Sequence, residues 1–264
     1  MSAAVLDKAQ HSTWSAAEMR GLVVSEFRKT LATSAWWALL IPGVVLAVGV
    51  LALRAREEYV AFSVASASAW ASLFAVLFGA VCASAEYRHN TIATSYLSAA
   101  NRPKLVAAKM TCAAVVGAIY GVVCAAAAVA TVPLTGTAYG NEWPWILAVS
   151  AGAAVVFALW AVLGVGLGTL LRSQVGTVVC ALLYVLLIEP IIGTVFSISG
   201  WDRVSDYLPD RSATLSLHGL TGGEQFGGQF GVATPWWLML LVAAGYAAVF
   251  IVAGIAAAQR RDIA

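Results

Sequence analysis

Few residues of this 264-residue chain have the types and spacing that enzymatic chemistry needs. The sequence lacks the phosphate-binding loop G-x-x-x-x-G-K-[ST], the nucleophile elbow G-x-S-x-G and the zinc-binding H-E-x-x-H. The histidines His11, His89 and His218 are far apart, and the four cysteines lack the paired spacing of a zinc or redox site. We therefore predict that the chain is not an enzyme and has no catalytic residue, metal site or cofactor of its own.

Two ionisable residues stand in long apolar runs, where a charge is costly and often functional. Lys109 lies one turn inside the third run, from which its long side chain can snorkel toward water. Glu189 precedes Pro190, about 15 residues into the fifth run, which is roughly 22 Å along a helix. Two interpretations of Glu189 and Pro190 stay open. They take part in a pathway or gate, or the span ends there and the carboxylate meets water or a helix partner.

The elements that position these residues must be helices that cross a membrane. Each apolar run is close to the roughly 20 residues that a helix needs to cross about 30 Å of hydrocarbon. Lipid offers no partner to a bare peptide group, so the runs must be helical. The composition agrees, because 61% of the residues are hydrophobic and 11% are charged, against about 25% charged in soluble domains. The six runs are Trp36–Leu53, Val60–Ala83, Leu105–Val132, Trp145–Leu171, Val175–Ser199 and Trp236–Ala258.

The basic residues predict the orientation of the chain. With a cytoplasmic N-terminus, 11 of the 15 Lys and Arg residues fall inside and 4 fall outside. Positive charge collects on the cytoplasmic side of membrane proteins, so both termini are expected there. The net charge of +2 is too small to indicate nucleic-acid binding. The first run lies some way into the chain and is interpreted as a span, not a removed signal peptide.

The segment ahead of the first span has the pattern of an amphipathic helix. We predict a helix over Trp14–Leu31, with charged residues largely off its apolar row. It either lies in the membrane interface or packs on the inner face of the protein. The apolar residues of this helix are Trp14, Met19, Val23, Phe27 and Leu31.

The chain is predicted to form one membrane domain, residues 36–258, between the cytoplasmic segments 1–35 and 259–264. Because proline removes a backbone donor, we expect the fifth span to end near Glu189 and an external region to cover 190–235. The short link Leu170–Gln174 predicts a tight hairpin of the fourth and fifth spans. Small residues four apart allow close helix contacts, although many such pairs arise by chance in a chain this rich in Ala and Gly. The pairs are Gly117 with Gly121 and Gly164 with Gly168.

The loop between the second and third spans, residues 86–104, carries the most specific pattern. It has an acidic residue at its start, a short stretch compatible with a helix, the turn Asn101-Arg102-Pro103 and then two lysines. In this it resembles the permease subunits of ABC-2-type exporters. Asn90 replaces the usual glycine, and Ala99 or Ala100 a common proline. The residues that match in kind are Glu86, Thr91, Ile92, Leu97, Arg102, Leu105, Ala108 and Lys109. Similar segments elsewhere are Glu26–Lys29, Tyr207–Pro209 and Arg260–Asp262.

The resemblance implies an all-α fold of the ABC-2 type, like that of type V exporters, and a role in ATP-driven export. The chain would be a multi-pass protein of a bacterial cytoplasmic membrane and would pair with a second permease subunit, as a homodimer or heterodimer. A separate ABC ATPase subunit would bind ATP and Mg. The cargo would be hydrophobic or amphipathic, such as a drug, antibiotic, lipid or lipopeptide. The loop residues expected to couple to the ATPase are Glu86, Arg88, Thr91, Ile92, Tyr96, Leu97 and Arg102.

Two other functions fit six spans and a basic loop. The chain could belong to a transporter or channel that ATP does not drive, in which case no ATPase would co-purify with it. It could also be an immunity-type membrane protein of the same fold that moves no cargo. A substrate-stimulated ATPase rate would argue against this second alternative.

Overall fold

A computed structural model describes residues 16–54, 59–88, 102–136, 138–222 and 234–260. These parts of the chain are helical and contain no strand. We call Ala16–Ala32 the N-terminal helix and Pro209–Gly219 the connecting helix, because the latter lies between the fifth and sixth spans. The helices of spans 1 to 6 are Ala35–Arg54, then Val60–Ala71 with Leu73–Arg88, Arg102–Thr131, Trp143–Leu171, Gln174–Ile198 and Trp236–Arg260.

The six predicted spans are confirmed, and the chain has the helices of a multi-pass membrane protein. The shortest, span 1, has 20 residues, which is about 30 Å of helix and matches the hydrocarbon thickness. Spans 4 and 5 form the predicted tight hairpin, since only Arg172 and Ser173 separate their helices. Arg172 takes the left-handed conformation, with φ of 53°, and the Ser173 hydroxyl accepts the Gly176 N–H at 3.2 Å.

Span 4 lies at the centre of the bundle and packs against spans 2, 3 and 6. The predicted glycine pairs are sites of close approach. A β-carbon at Gly121 would lie 2.5 Å from the Ala153 carbonyl oxygen, and one at Gly117 would lie 2.6 Å from that of Phe157. A β-carbon at Gly164 would overlap the backbone of span 2. Spans 3 and 2 therefore touch span 4 backbone to backbone, as small residues in membrane helices allow.

The predicted end of span 5 at Glu189 is wrong. The helix passes through Pro190 and continues to Ile198. Tyr184–Ile188 forms one π-helical turn directly before the proline, and the Glu189 N–H donates to the Tyr184 carbonyl five residues back. The π turn changes the backbone hydrogen bonds directly ahead of Pro190. The helix can therefore continue through a proline, which has no N–H to donate. The helix therefore extends past its predicted end, and the external region expected over 190–235 stays a prediction.

Burial differs sharply among the spans. In span 2, 78% of the most apolar stretch is buried within the chain, compared with 17% in spans 1 and 5. The outward side of span 5 includes Val179, Leu186, Ile191 and Val195, all large and exposed. In a bilayer such sides face lipid or another membrane subunit.

Contacts between connections show that the bundle has two distinct ends. At one end, the N-terminal helix packs on the start of span 3. At the other, the connecting helix packs on span 6, on the first half of span 2 and on span 4. Also at this second end, Glu142 accepts the Ala61 backbone N–H at 2.8 Å and so caps the first turn of span 2.

Candidate functional sites at the two ends of the bundle

The N-terminal helix is fixed to span 3 by buried charge. The Glu26 side chain is only 2% exposed and binds the Lys109 ammonium at 2.8 Å and the Lys29 ammonium at 2.7 Å. Burial alone would raise the pKa of the Glu26 carboxyl, but Lys109 and Lys29 hold that pKa below its ordinary value. Glu26 is therefore a carboxylate, and the Glu26–Lys109 pair is a desolvated ion pair.

A second ion pair lies nearer the N-termini of both helices, about two turns before Glu26 on the N-terminal helix and between one and two turns before Lys109 on span 3. The Lys104 ammonium, which is buried, binds the more exposed Glu18 carboxylate at 2.9 Å. The Thr30 hydroxyl and the Cys112 thiol meet at 3.6 Å along the same contact. We call the two ion pairs, Glu18–Lys104 and Glu26–Lys109, the N-terminal clasp.

The clasp corrects two expectations. The Lys109 side chain does not snorkel to water; it is buried and paired. The predicted helix exists as Ala16–Ala32, but its apolar row is not its most buried side. Leu31 is 62% exposed, whereas Glu26 is 1% exposed. This geometry favours the interpretation that the helix packs on its own protein. Of the predicted row, Met19, Val23 and Phe27 are partly buried, and Trp14 lies outside the described residues.

The predicted coupling segment is described only at its borders. Glu86 and Arg88 belong to the last turns of the helix Leu73–Arg88, and Arg102 begins the next helix. The segment between these helices lies outside the described residues, so its role stays a prediction. The predicted site residues in it are Thr91, Ile92, Tyr96 and Leu97.

At the opposite end, Glu189 caps the connecting helix. Its side chain is buried, and its Oε1 atom accepts the backbone N–H of Arg211 at 2.8 Å. The Tyr184 side chain and the Asp210 backbone are its other polar neighbours. A carboxylate at a helix N-terminus meets unpaired N–H groups and the positive end of the helix dipole. The structure thus gives Glu189 the helix partner that one interpretation expected, whereas Pro190 is exposed.

His218 also fixes the connecting helix to span 2. Its ring stacks on Phe62 with centroids 4.6 Å apart, and its Nε2 atom lies 3.1 Å from the Ser66 hydroxyl. Burial lowers the pKa of His218 to about 4, helped by the positive charges of Arg54 and Arg211. The neutral imidazole is therefore a docking side chain across physiological pH.

The described residues hold little that suggests a bound ligand. Within them, no group of three or more His, Cys, Asp or Glu side chains is placed to hold a metal ion. An open recess with a volume of only about 10 Å³ lies between spans 4 and 6 and the connecting helix, far below the usual size of a small-molecule site. Its lining residues are Val156, Leu159, Trp160, Leu163, Pro209, Ala213, Ala243 and Tyr246.

Sequence reasoning named Glu189 but missed the clasp and the docking role of His218. One signal for the clasp was present. A lysine inside an apolar run needs a counter-charge, and Glu18 and Glu26 stand on the neighbouring helix. Comparison with models of known protein families and with curated proteins found no match.

Proposed function

We propose that this chain is the permease subunit of an ATP-driven exporter of the ABC-2 type. Six spans and an N-terminal helix at the start of span 3 agree with that layout. The ATP and Mg would be bound by a separate ATPase subunit. The cargo would be hydrophobic or amphipathic, because the spans are apolar along most of their length.

The N-terminal clasp is the observation that carries this proposal. The loop of residues 89–101 joins the end of span 2 directly to the start of span 3. Lys104 and Lys109, in the first two turns of span 3, hold the N-terminal helix through Glu18 and Glu26. A partner that moves the loop would therefore move spans 2 and 3 and the N-terminal helix together. Such a unit lets ATP binding in one chain shift the population of membrane conformations in another.

Two permease subunits would form the transport unit. Spans 1 and 5 have large apolar side chains that are not covered within the chain, such as Val45, Leu183 and Ile191. These sides offer a surface to a second subunit without disturbing the packed core of spans 2, 3 and 4. Orientation with both termini in the cytoplasm would place the loop on the side where ATP is available.

The test is a double substitution in the loop, Ile92→Asp with Leu97→Asp. The chain is expressed in its native host and purified through a tag on the permease, so that any bound ATPase co-purifies with it. We expect the double variant to insert normally and to lose the ATPase, or to retain it with hydrolysis uncoupled from transport. Leu134→Asp with Val204→Asp changes two exposed apolar residues of other connections and is the matched control. A loop variant with a bound ATPase and wild-type transport would refute the coupling role.

One observation favours a transporter driven by an ion gradient instead. Glu189 is a buried carboxyl group in span 5, and such groups often lie on ion or proton pathways. Transport in liposomes without any ATPase, driven by a pH gradient and abolished in Glu189→Gln, would support this alternative. Transport that requires the ATPase and ATP would support the exporter.

A further inference from the structure

One oxygen of the Glu189 carboxyl group lacks a donor. The side chain is 5% exposed, and its Oε1 atom is satisfied by the Arg211 N–H. The Oε2 atom is fully buried and has no hydrogen-bond partner in the described parts of the chain. A buried charged oxygen without a donor carries a large desolvation cost. A proton held at this position would remove that cost, because it neutralises the charge of the buried carboxyl group.

A second carboxyl group lies at the same place. Asp210 is the residue before Arg211 in the first turn of the connecting helix, and its side chain is partly buried. Burial and the nearby negative charge of Glu189 both raise the pKa of the Asp210 carboxyl group. The Arg211 N–H that binds Glu189 belongs to the next residue, so the two carboxyl groups are close enough for their charges to interact. Neighbouring carboxyl groups that are shielded from water resist ionising together, and the usual outcome is that one of them keeps a proton.

The surrounding groups do not neutralise this pair. The Arg211 side chain is 59% exposed, and its guanidinium binds the Asp206 carboxylate at 3.3 Å. Its positive charge is therefore partly compensated by Asp206 and by water. Tyr184 from span 5 and Tyr246 from span 6 are the other titratable groups nearby. The Tyr246 hydroxyl donates to the Tyr207 carbonyl at 3.1 Å. Among the described residues, no Lys or Arg forms an ion pair with Glu189 or Asp210.

We propose that Glu189 and Asp210 form a proton-binding site, in which one proton shared by the two carboxyl groups sets how firmly the connecting helix is attached to span 5. The proton comes from water and leaves one negative charge on the pair. That charge is favoured on Glu189, whose Oε1 atom accepts the Arg211 N–H at the positive end of the helix dipole. This inference is independent of the proposed function, since it requires neither an ATPase nor a particular cargo.

The direction of the pH effect follows from Asp210. Burial, with the charge of Glu189, raises the pKa of Asp210 from an ordinary value of 3.8 to about 7. A raised carboxyl pKa means that the attached state binds the proton more tightly than the detached state. Attachment is therefore strongest below the ordinary pKa, weakens as the pH rises toward the raised pKa, and is constant above it.

Infrared spectroscopy of the purified full chain in lipid nanodiscs tests the site directly. A protonated buried carboxyl group gives a C=O stretching band that disappears on ionisation. We expect such a band in the wild type, with a midpoint near pH 7. Asp210→Asn removes it, and Asp206→Asn, on the same segment, keeps it. Glu189→Gln moves the midpoint to lower pH, because the neighbouring negative charge is gone.

Thiol labelling measures the consequence for the connecting helix. A single cysteine at Ala213, which is buried at the recess, is labelled faster when the helix detaches. Its rate is divided by that of a cysteine at the exposed Ser199 at the same pH, which removes the pH dependence of thiol reactivity. We expect this ratio to rise by about two orders of magnitude from pH 5 to pH 8 in the wild type, because a pKa of about 7 in the attached state and 3.8 in the detached state changes the detachment constant by that factor. The ratio should stay flat in Asp210→Asn.

Two results would overturn the proposal. A wild-type spectrum without a protonated-carboxyl band at any pH between 5 and 8 would mean that both carboxylates are ionised and that water or a cation satisfies Oε2. A band that persists unchanged in Asp210→Asn would place the proton on another group. A correctly folded Asp210→Asn protein, judged by its helical circular dichroism, is the condition for both comparisons.

Discussion

At the scale of single residues, the buried ion pair between Glu26 and Lys109 has the clearest energetic consequence. Both side chains are nearly inaccessible to water. Ion pairs of this kind are poor sources of net stability, but loss of one partner leaves an uncompensated buried charge. The clasp therefore specifies where the N-terminal helix docks more than it adds to overall stability.

Substitutions in the clasp should show the cost of leaving a buried charge without its partner. Glu26→Gln or Lys109→Met alone should destabilise the protein by about 3–5 kcal/mol, whereas the double variant should recover much of that loss. Thermal unfolding in detergent, followed by tryptophan fluorescence, gives the three values of a double-mutant cycle. Asp206→Asn is the control, because its ion pair with Arg211 is much more exposed and should cost under about 1 kcal/mol. A loss in the double variant equal to the sum of the two single losses would show that the two charges do not interact.

Single residues also show where prediction from the sequence stopped. Lys109 and Glu189 stand out in apolar runs, so both were recognisable as residues that need partners. The partners come from distant parts of the chain: Glu26 lies 83 residues from Lys109, and Arg211 lies 22 residues from Glu189. Periodicity within one helix carries no information on such pairings, because they depend on how separate helices dock.

At the scale of elements, the spans were predictable because lipid leaves the backbone no alternative to a helix. The effect of Pro190 on span 5 was not predictable, because a proline can end a helix, kink it or be accommodated next to a π turn. The local sequence is compatible with each. The π turn at Tyr184–Ile188 decides the outcome, and it places Glu189 beside the connecting helix.

The close contacts of span 4 predict a sharp difference between glycines. Gly164→Ala should destabilise the protein by about 1–3 kcal/mol, because the added methyl group meets the span 2 backbone, which cannot move aside. Gly49→Ala in span 1 is the matched control, since nothing lies within 4 Å of the new β-carbon. It should leave stability unchanged or raise it slightly. Thermal midpoints in one detergent give the comparison, and equal effects at the two positions would contradict the packing of spans 2 and 4.

At the scale of the whole molecule, the two ends of the bundle differ in charge and in structure. The N-terminal clasp lies at the end with more Lys and Arg, and the connecting helix lies at the other. Alternation of six spans requires these ends to face opposite sides of the membrane. The basic bias predicts that the clasp end faces the cytoplasm.

Cysteine labelling tests this orientation. The four native cysteines are replaced, and single cysteines are introduced at Ser98 in the loop and at Ser199 after span 5. We expect a membrane-impermeant thiol reagent added to intact cells to label position 199 and to label position 98 only after permeabilisation. Labelling of position 98 in intact cells would show the opposite orientation. The loop would then lie outside the cell, where a cytoplasmic ATPase could not bind it.

The central claim is that work enters this protein through the loop between spans 2 and 3. Photo-crosslinking from Leu97 tests it most directly. A photoreactive amino acid is placed at position 97, and another at Leu134 in the connection after span 3 as the control. Irradiated cells are analysed by mass spectrometry of the crosslinked products. We expect position 97, and not position 134, to crosslink to a protein that carries the phosphate-binding loop G-x-x-x-x-G-K-[ST]. Crosslinks from position 97 only to the N-terminal helix of the same chain, with no ATP-binding protein captured, would contradict it.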